Sequence, residues 1–204
     1  MKIKLWHPRL ICSQVPPQIA SWLFEPASIT KRCLATSSNF RVRVLASGPT
    51  ASNKDECCHL PKSCRQVWVR EVLLELDDTP IIFARTTHPS IRRGPLLRRF
   101  ARLGNSPLGS ILFTHPGFRK IKIEYARLDR RHPLYQQAMN TNTSNPTLWA
   151  RRASWHLGHQ HLLLTEVFLP SLASYPPVPE KPPLKLNREK LIKFRNSGTP
   201  HQNR

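Results

Sequence analysis

Two charged residues sit where the surrounding sequence is apolar, and their types define what chemistry they could do. The stretch HLLLTEVFLP, residues 161–170, reads as a buried strand but contains Glu166. Side chains in a strand alternate between two faces, so Leu162, Leu164, Glu166 and Phe168 share one face and Leu163, Thr165, Val167 and Leu169 the other. Neither face is polar enough for water, and an unpaired buried carboxylate costs several kcal/mol, so Glu166 requires a partner. The stretch VWVREVLLEL, residues 67–76, shows the same anomaly with opposite sign. Trp68, Arg70, Val72, Leu74 and Leu76 share its more apolar face, where Arg70 is the one charge; Glu71 and Glu75 fall on the other face with Val67, Val69 and Leu73.

Two readings of this pair are open. Arg70 and Glu166 could close the core as an internal ion pair. Alternatively, each could hold one end of a polar ligand: an arginine fork fits a carboxylate bidentately, and a glutamate can accept a hydrogen bond from a hydroxyl or exchange a proton with it. Arg85, Arg151 and Arg152 are further basic candidates for an anionic ligand, with surface charge or structural ion pairing as the alternative for each. His156, His159 and His161 crowd one turn without an Asp or Cys partner in a recognisable triad, and no catalytic role is assigned to them.

The elements that must position these residues can be read along the chain. PQIASWLF (17–24) is a short helix opened by proline, and a second helix restarts after Ser28, a fitting N-cap. NFRVRVLA (39–46) alternates as a half-exposed strand, and SGPTASNKDECCHLPKSC (47–64) is a loop by composition. VWVREVLLEL, the turn DDTP and IIFART form a hairpin. PLLRRFARLG (95–104) is an amphipathic helix that Gly104 can end. SPLGSILF begins another short helix at Ser106–Pro107. RKIKIEY sets Ile121, Ile123 and Tyr125 against Lys120, Lys122 and Glu124; LWARRASWHL and HLLLTEVFLP are strands joined by GHQ. Hairpin-like strands with few helices between them define an α+β class: an antiparallel sheet of about six strands with flanking helices.

The 204 residues are enough for one main domain with a real core. The division expected is an N-terminal arm over 1–16, a domain over 17–175, and a basic, proline-rich, largely disordered tail over 176–204, which holds six of the 20 prolines. The formal net charge is +20. Such a charge attracts nucleic acid, phospholipid surfaces or small anions without choosing among them. No apolar run reaches the roughly 18 residues of a spanning helix, and prolines break any signal-peptide core near the start, so a cytoplasmic setting is expected. The five cysteines, Cys12, Cys33, Cys57, Cys58 and Cys64, are then reduced. The segment CCHLPKSC matches no usual zinc spacing, and neither a P-loop nor a dinucleotide fingerprint is present. No metal and no cofactor are expected.

Four segments, WVREVLLELDDTPIIFARTTHP, LGNSPLGSILF, LWARRASW and LLLTEVFLPSLASY, in this order and spacing, resemble the chorismate pyruvate-lyase family. The resemblance runs from about Pro17 to Tyr175. It implies a lyase that converts chorismate to 4-hydroxybenzoate and pyruvate without cofactor or metal, the first committed step of ubiquinone biosynthesis. It also implies a six-stranded antiparallel sheet enclosing the ligand beneath helical flaps. By resemblance, Arg70 grips the ring carboxylate, Glu166 meets the ring hydroxyl, Leu108 offers its backbone near the carboxylate, and Ile29 stands where the family usually has methionine. Glu166 and Arg70 are thus the catalytic candidates, and Arg70, Leu108, Glu166 and Ile29 the substrate-binding ones. A monomer is expected, with weak contact to anionic membranes through the tail. Two other functions remain open: a non-catalytic small-ligand sensor of the same fold, which would need a helix-turn-helix that the residues before Pro17 are too few to supply, and a basic nucleic-acid binder, for which no aromatic-rich RNA motif is present.

Overall fold

A computed structural model describes residues 5–10, 14–59, 66–89, 103–113, 115–139 and 147–175. The tail over 176–204, most of the helix expected over 95–104, and the loop over 140–146 lie outside the described residues. Six strands form one antiparallel sheet: β1 Phe40–Ala51, β2 Gln66–Leu76, β3 Thr79–Pro89, β4 Phe118–Asp129, β5 Thr147–Leu157 and β6 Gln160–Phe168. Their spatial order is β1-β2-β3-β6-β5-β4. The α+β class and the antiparallel sheet expected from the sequence are therefore present.

The hairpins follow from local chemistry. Asp77 and Asp78 both take positive φ, 49° and 63°, as a two-residue hairpin turn matched to strand twist demands. The same logic places Gly158, at φ 56°, in the β5–β6 connection. β1 runs on to Ala51, so residues 47–51, expected to be loop, pair with β2 instead. The neighbouring strand supplies the hydrogen bonds that a composition argument cannot see.

Helix α1, Pro17–Leu23, opens on proline and buries Ile19, Trp22 and Leu23. Helix α2, Ile29–Thr36, follows Ser28, which has the extended backbone of an N-cap although its side chain makes no capping bond. Arg32 ties the two helices: its guanidinium lies 4.1 Å from the Trp22 ring centroid, and it bonds both the Ser21 carbonyl and, at 3.0 Å, the Ser21 hydroxyl. Helix α3 is a single turn, Gly109–Leu112. It starts later than the expected Ser106–Pro107, because Leu108 is the residue flanking its first turn. Helix α4, Pro133–Ala138, was not anticipated; His132 caps it by accepting from the Leu134 amide through Nδ1 at 3.2 Å.

Apolar side chains sort onto both faces of the sheet. On the front, α1 and α2 pack Ile19, Trp22, Leu23, Ile29 and Cys33 on Val42, Val72, Leu74, Ala84 and Phe168. A second front cluster joins Leu103, Leu108 and Leu112 to Phe118, Ala153, Trp155 and Leu162. On the back, α4 and Trp6 cover Leu73, Phe83, Ala126, Leu128 and Val167. The two front clusters leave a gap between them, and that gap is the cavity described next.

Candidate active site

The front cavity has about 630 Å³ of unfilled space, part of it open to solvent. Of this, about 50 Å³ can be reached by the centre of a water-sized sphere. Ile29, Arg70, Leu108 and Glu166 all line it. They come from four separate places: Ile29 from the first turn of α2, Arg70 from β2, Leu108 from the start of α3, and Glu166 from β6. The helical roof is tight. A Cβ on Gly109 would meet Thr30 Oγ1 at 2.7 Å and Ser28 Oγ at 2.8 Å, so α2 and α3 can approach this closely only over a glycine.

Glu166 is 7% exposed and sits opposite Ala84 on β3 and Arg151 on β5. Arg151 Nε donates to Glu166 Oε2 at 2.6 Å. Its Nη1 donates to the Glu25 carbonyl at 2.7 Å and the Leu23 carbonyl at 3.4 Å. The partner that a buried carboxylate requires is therefore Arg151. The internal Arg70–Glu166 ion pair, one of the two sequence readings, does not form: β3 stands between β2 and β6.

Arg70 is 4% exposed, and Nη2 makes both of its hydrogen bonds to described residues, donating to the Gly104 carbonyl at 2.9 Å and the Ser106 carbonyl at 3.0 Å. No carboxylate among the described residues pairs with it. Burial pushes its guanidinium below the usual arginine value, yet arginine keeps its proton in proteins. Its Nε and Nη1 donate to no described residue.

The other arginine candidates separate by face. Arg85, 3% exposed, lies on the back and donates through Nε to Glu56 Oε1 at 2.8 Å, with Glu71 as a further partner. Burial alone would lower its guanidinium value, but hydrogen bonding to Glu56 and the Glu56 charge, then Glu71, raise it. Arg152 is also on the back, with Glu124 at 2.9 Å and its guanidinium 4.3 Å from the Trp6 ring centroid. These are structural ion pairs. They pin loop residues Asp55 and Glu56, and through Trp6 the chain start, to the sheet: Trp6 Nε1 donates to Asp55 Oδ2 at 2.9 Å. His156 and His161 meet edge to face at 4.2 Å between ring centroids and do not line the cavity. Among the described residues no group of three or more His, Cys, Asp or Glu is arranged to hold a metal ion; Cys12 and Cys64 lie outside them.

One lining residue was missed by the alternation argument. Lys120 was grouped with Lys122 and Glu124, away from Ile123. In the structure Lys120 faces Trp155 and Lys122 faces Ser154, with Ile121 left out of the pairing. This extra residue is a β-bulge, and it turns Lys120 onto the cavity face beside Ile123 and Trp155. No sequence sign marks the bulge; it shows in the structure, where Ile121 is left 56% exposed.

An antiparallel sheet carrying helices on its front, with a cavity under them lined by Arg70, Lys120, Arg151 and Glu166, defines a domain of the α+β class with a candidate small-ligand site. The chain belongs to the chorismate lyase family, whose model matches residues 2–175. A protein named "Probable chorismate pyruvate-lyase" from Dechloromonas aromatica (strain RCB) is 46% identical over 172 residues, covering 84% of this chain and 98% of that protein. One of the same name from Ralstonia nicotianae (strain GMI1000) is 39% identical over 170 residues, covering 78% and 85%. Among solved structures, PhnF from Mycobacterium smegmatis aligns over 72% of this chain and 66% of that chain at TM-score 0.51 and 12% identity, a likeness of fold alone.

Proposed function

We propose that this chain is a chorismate pyruvate-lyase, releasing 4-hydroxybenzoate and pyruvate from chorismate. The observation that carries the reading is the joining of Arg70 and Glu166 in one cavity, each held by its own partners rather than by the other. Arg70 takes the ring carboxylate, and the Leu108 and Ile29 backbones close around that end. Glu166, oriented by Arg151, takes the ring hydroxyl. Isoleucine at position 29 is stiff at χ1. A backbone contact there tolerates its substitution for the family's usual methionine.

The chemistry suits this arrangement. The ring carbon–oxygen bond to the enolpyruvyl group breaks with its electron pair on the departing oxygen. The hydrogen on the hydroxyl-bearing ring carbon leaves as a proton, and its electrons complete the aromatic ring. A proton returned to the enolpyruvate carbon gives pyruvate. Aromatisation supplies the driving force, so the protein's work is to hold one reactive conformer and to meet charge on the leaving oxygen. In this reading Glu166, taking the ring hydroxyl, also accepts the proton from the carbon that bears it.

The proposal includes a catalytic domain over residues 17–175, with Trp6 of the preceding arm packed on its back face, and a cytoplasmic setting. No helix among the described residues is long and apolar enough to cross a membrane. The test is to incubate the purified protein with chorismate alone, before and after chelator treatment and dialysis. Equal amounts of pyruvate and 4-hydroxybenzoate in both samples are expected. Absence of both products, or activity that returns only with an added metal, overturns the proposal.

A further inference from the structure

The proposed substrate carries two carboxylates, and Arg70 accounts for one. Among the described residues, the charged ones lining the cavity are Arg70, Lys120, Arg151 and Glu166, a formal excess of two positive charges that matches a dianion. Of the three cations, Arg151 is committed to Glu166 and to the carbonyls of Leu23 and Glu25. Arg85 and Arg152 face the opposite side of the sheet and have carboxylate partners there. Lys120 has no carboxylate partner among the described residues. Its ammonium donates to the Pro26 carbonyl at 3.2 Å and lies 5.5 Å and 5.4 Å from the Phe113 and Trp155 ring centroids. It is therefore held over the cavity by a carbonyl and two aromatic rings, none of which neutralises it.

Its position is also right. Arg70 on β2 and Lys120 on β4 flank β6, each two strands away. Four strand spacings of about 4.8 Å set them roughly 19 Å apart across the sheet; Arg70 is level with Leu164 of β6 and Lys120 with Leu162, so Glu166 lies on the middle strand but to one side of the line joining them. The three side chains thus mark three corners, and the substrate has three groups to match them: the ring carboxylate, the hydroxyl para to it, and the side-chain carboxylate carried on the carbon beside that hydroxyl. Partial burial pulls the Lys120 ammonium below the usual lysine value, the Arg151 charge adds to this, and Glu166 opposes it; a ligand carboxylate would relieve the strain of the first two.

We infer that Lys120 is a substrate-binding residue that receives the side-chain carboxylate, the one that departs as pyruvate. This rests on the reaction proposed above and assigns the second end of its substrate. Lys120 lies at the solvent-exposed rim of the cavity, so the smaller product is held next to its exit while the aromatic product stays beneath the roof. Selectivity between one and two carboxylates is then set by Lys120 and affinity for the ring by Arg70.

The experiment compares two ligands in binding titrations: 4-hydroxybenzoate, and a stable analogue that carries a carboxymethyl ether beside the hydroxyl and so has both carboxylates. In the Lys120→Met variant the affinity for the dicarboxylate is expected to fall at least 10-fold, while that for 4-hydroxybenzoate stays within about twofold. Lys120→Arg should recover part of the difference. The KM for chorismate should rise in the methionine variant in step with the dicarboxylate loss. Equal loss for both ligands, which would mark Lys120 as roof structure only, overturns the inference, and so does no loss for either. A parent protein that binds 4-hydroxybenzoate but yields no pyruvate from chorismate refutes the reaction and leaves the two-ligand comparison to decide the Lys120 site on its own.

Discussion

Arg70 and Arg85 are both buried, at 4% and 3% exposure, on adjacent strands, yet their replacement by methionine should have opposite results. Losing Arg85 leaves Glu56, which is 1% exposed, with the Thr87 hydroxyl and the Asn53 amide but without its cation, and removes a partner of Glu71. Breaking a buried pair from one side costs about 3–5 kcal/mol. In a domain of this size 1 kcal/mol moves the melting temperature by about 2–4 °C, so the drop should be roughly 6–20 °C. Losing Arg70 strands no carboxylate among the described residues. Two bonds to the Gly104 and Ser106 carbonyls disappear, each worth about 1.5–3 kcal/mol as contacts to a charged group, but the several kcal/mol of keeping an uncompensated guanidinium out of water is returned. The melting temperature should stay within about 5 °C of the parent. Affinity for 4-hydroxybenzoate, however, should fall roughly 10- to 150-fold, the equivalent of one charge-assisted contact. Scanning calorimetry and isothermal titration on both variants decide the matter. An Arg70→Met protein that melts as low as Arg85→Met, or that binds 4-hydroxybenzoate as tightly as the parent, refutes the reasoning.

Glu166→Gln keeps the shape of the side chain but removes its charge and proton exchange, so chorismate turnover should fall by about 10²–10⁴-fold, the usual worth of a general base, while the protein remains folded by circular dichroism. Gly109→Ala forces Ser28 and Thr30 away from α3; an overpacking cost of about 1–3 kcal/mol and a raised KM for chorismate are expected from melting and steady-state assays. The pH dependence of stability has a definite sign. His59 is pulled below its ordinary value by burial and then by Arg152, His88 by burial and then by His161, and His161 by burial and then by His156. The unfolded chain therefore binds more protons than the native one below about pH 6.5. Stability present above that pH should be lost as the pH falls through the lower native values. In His59→Gln the melting temperature should decline less steeply between pH 7 and 5 than in the parent. Asp55 and Glu124 extend the loss to more acid pH: burial would raise both, but His132, Trp6 and Arg152 around the first, and Lys122 and Arg152 around the second, lower them.

The strands were legible because alternation is a local signal, and the charged exceptions within it, Arg70 and Glu166, were legible because an apolar face makes a lone charge conspicuous. Assigning Ile29 and Leu108 to the same cavity took the family resemblance, since nothing local connects a helix start near residue 29 to one near residue 108. The partner of Glu166 was not legible. Alternation says which face a side chain takes but not which strand lies beside it, and the order β3-β6-β5 is what delivers Arg151 and excludes Arg70. Lys120 was missed for a different reason: one extra residue in β4 reverses the alternation on one side of it. The back-face network of Glu56 with Arg85 and Asp55 with Trp6 joins a loop to distant strands, a long-range match that no periodicity reveals.

Arg70 and Glu71 are neighbours in sequence, as are Arg151 and Arg152, and in each case the first faces the cavity and the second the back of the sheet. The duties of binding and of architecture are therefore separated by a single step of phase along the strand. A slip of β2 by one residue in the direction that brings Glu71 to the place of Arg70 would keep every residue in its order and yet offer the ligand a carboxylate where it now finds a guanidinium. The sign of the cavity would invert at that end without a single amino acid being exchanged. In this protein chemical identity behaves like a message read in frame, and the hairpin turn at Asp77–Asp78, far from any ligand, is the punctuation that keeps β2 in step.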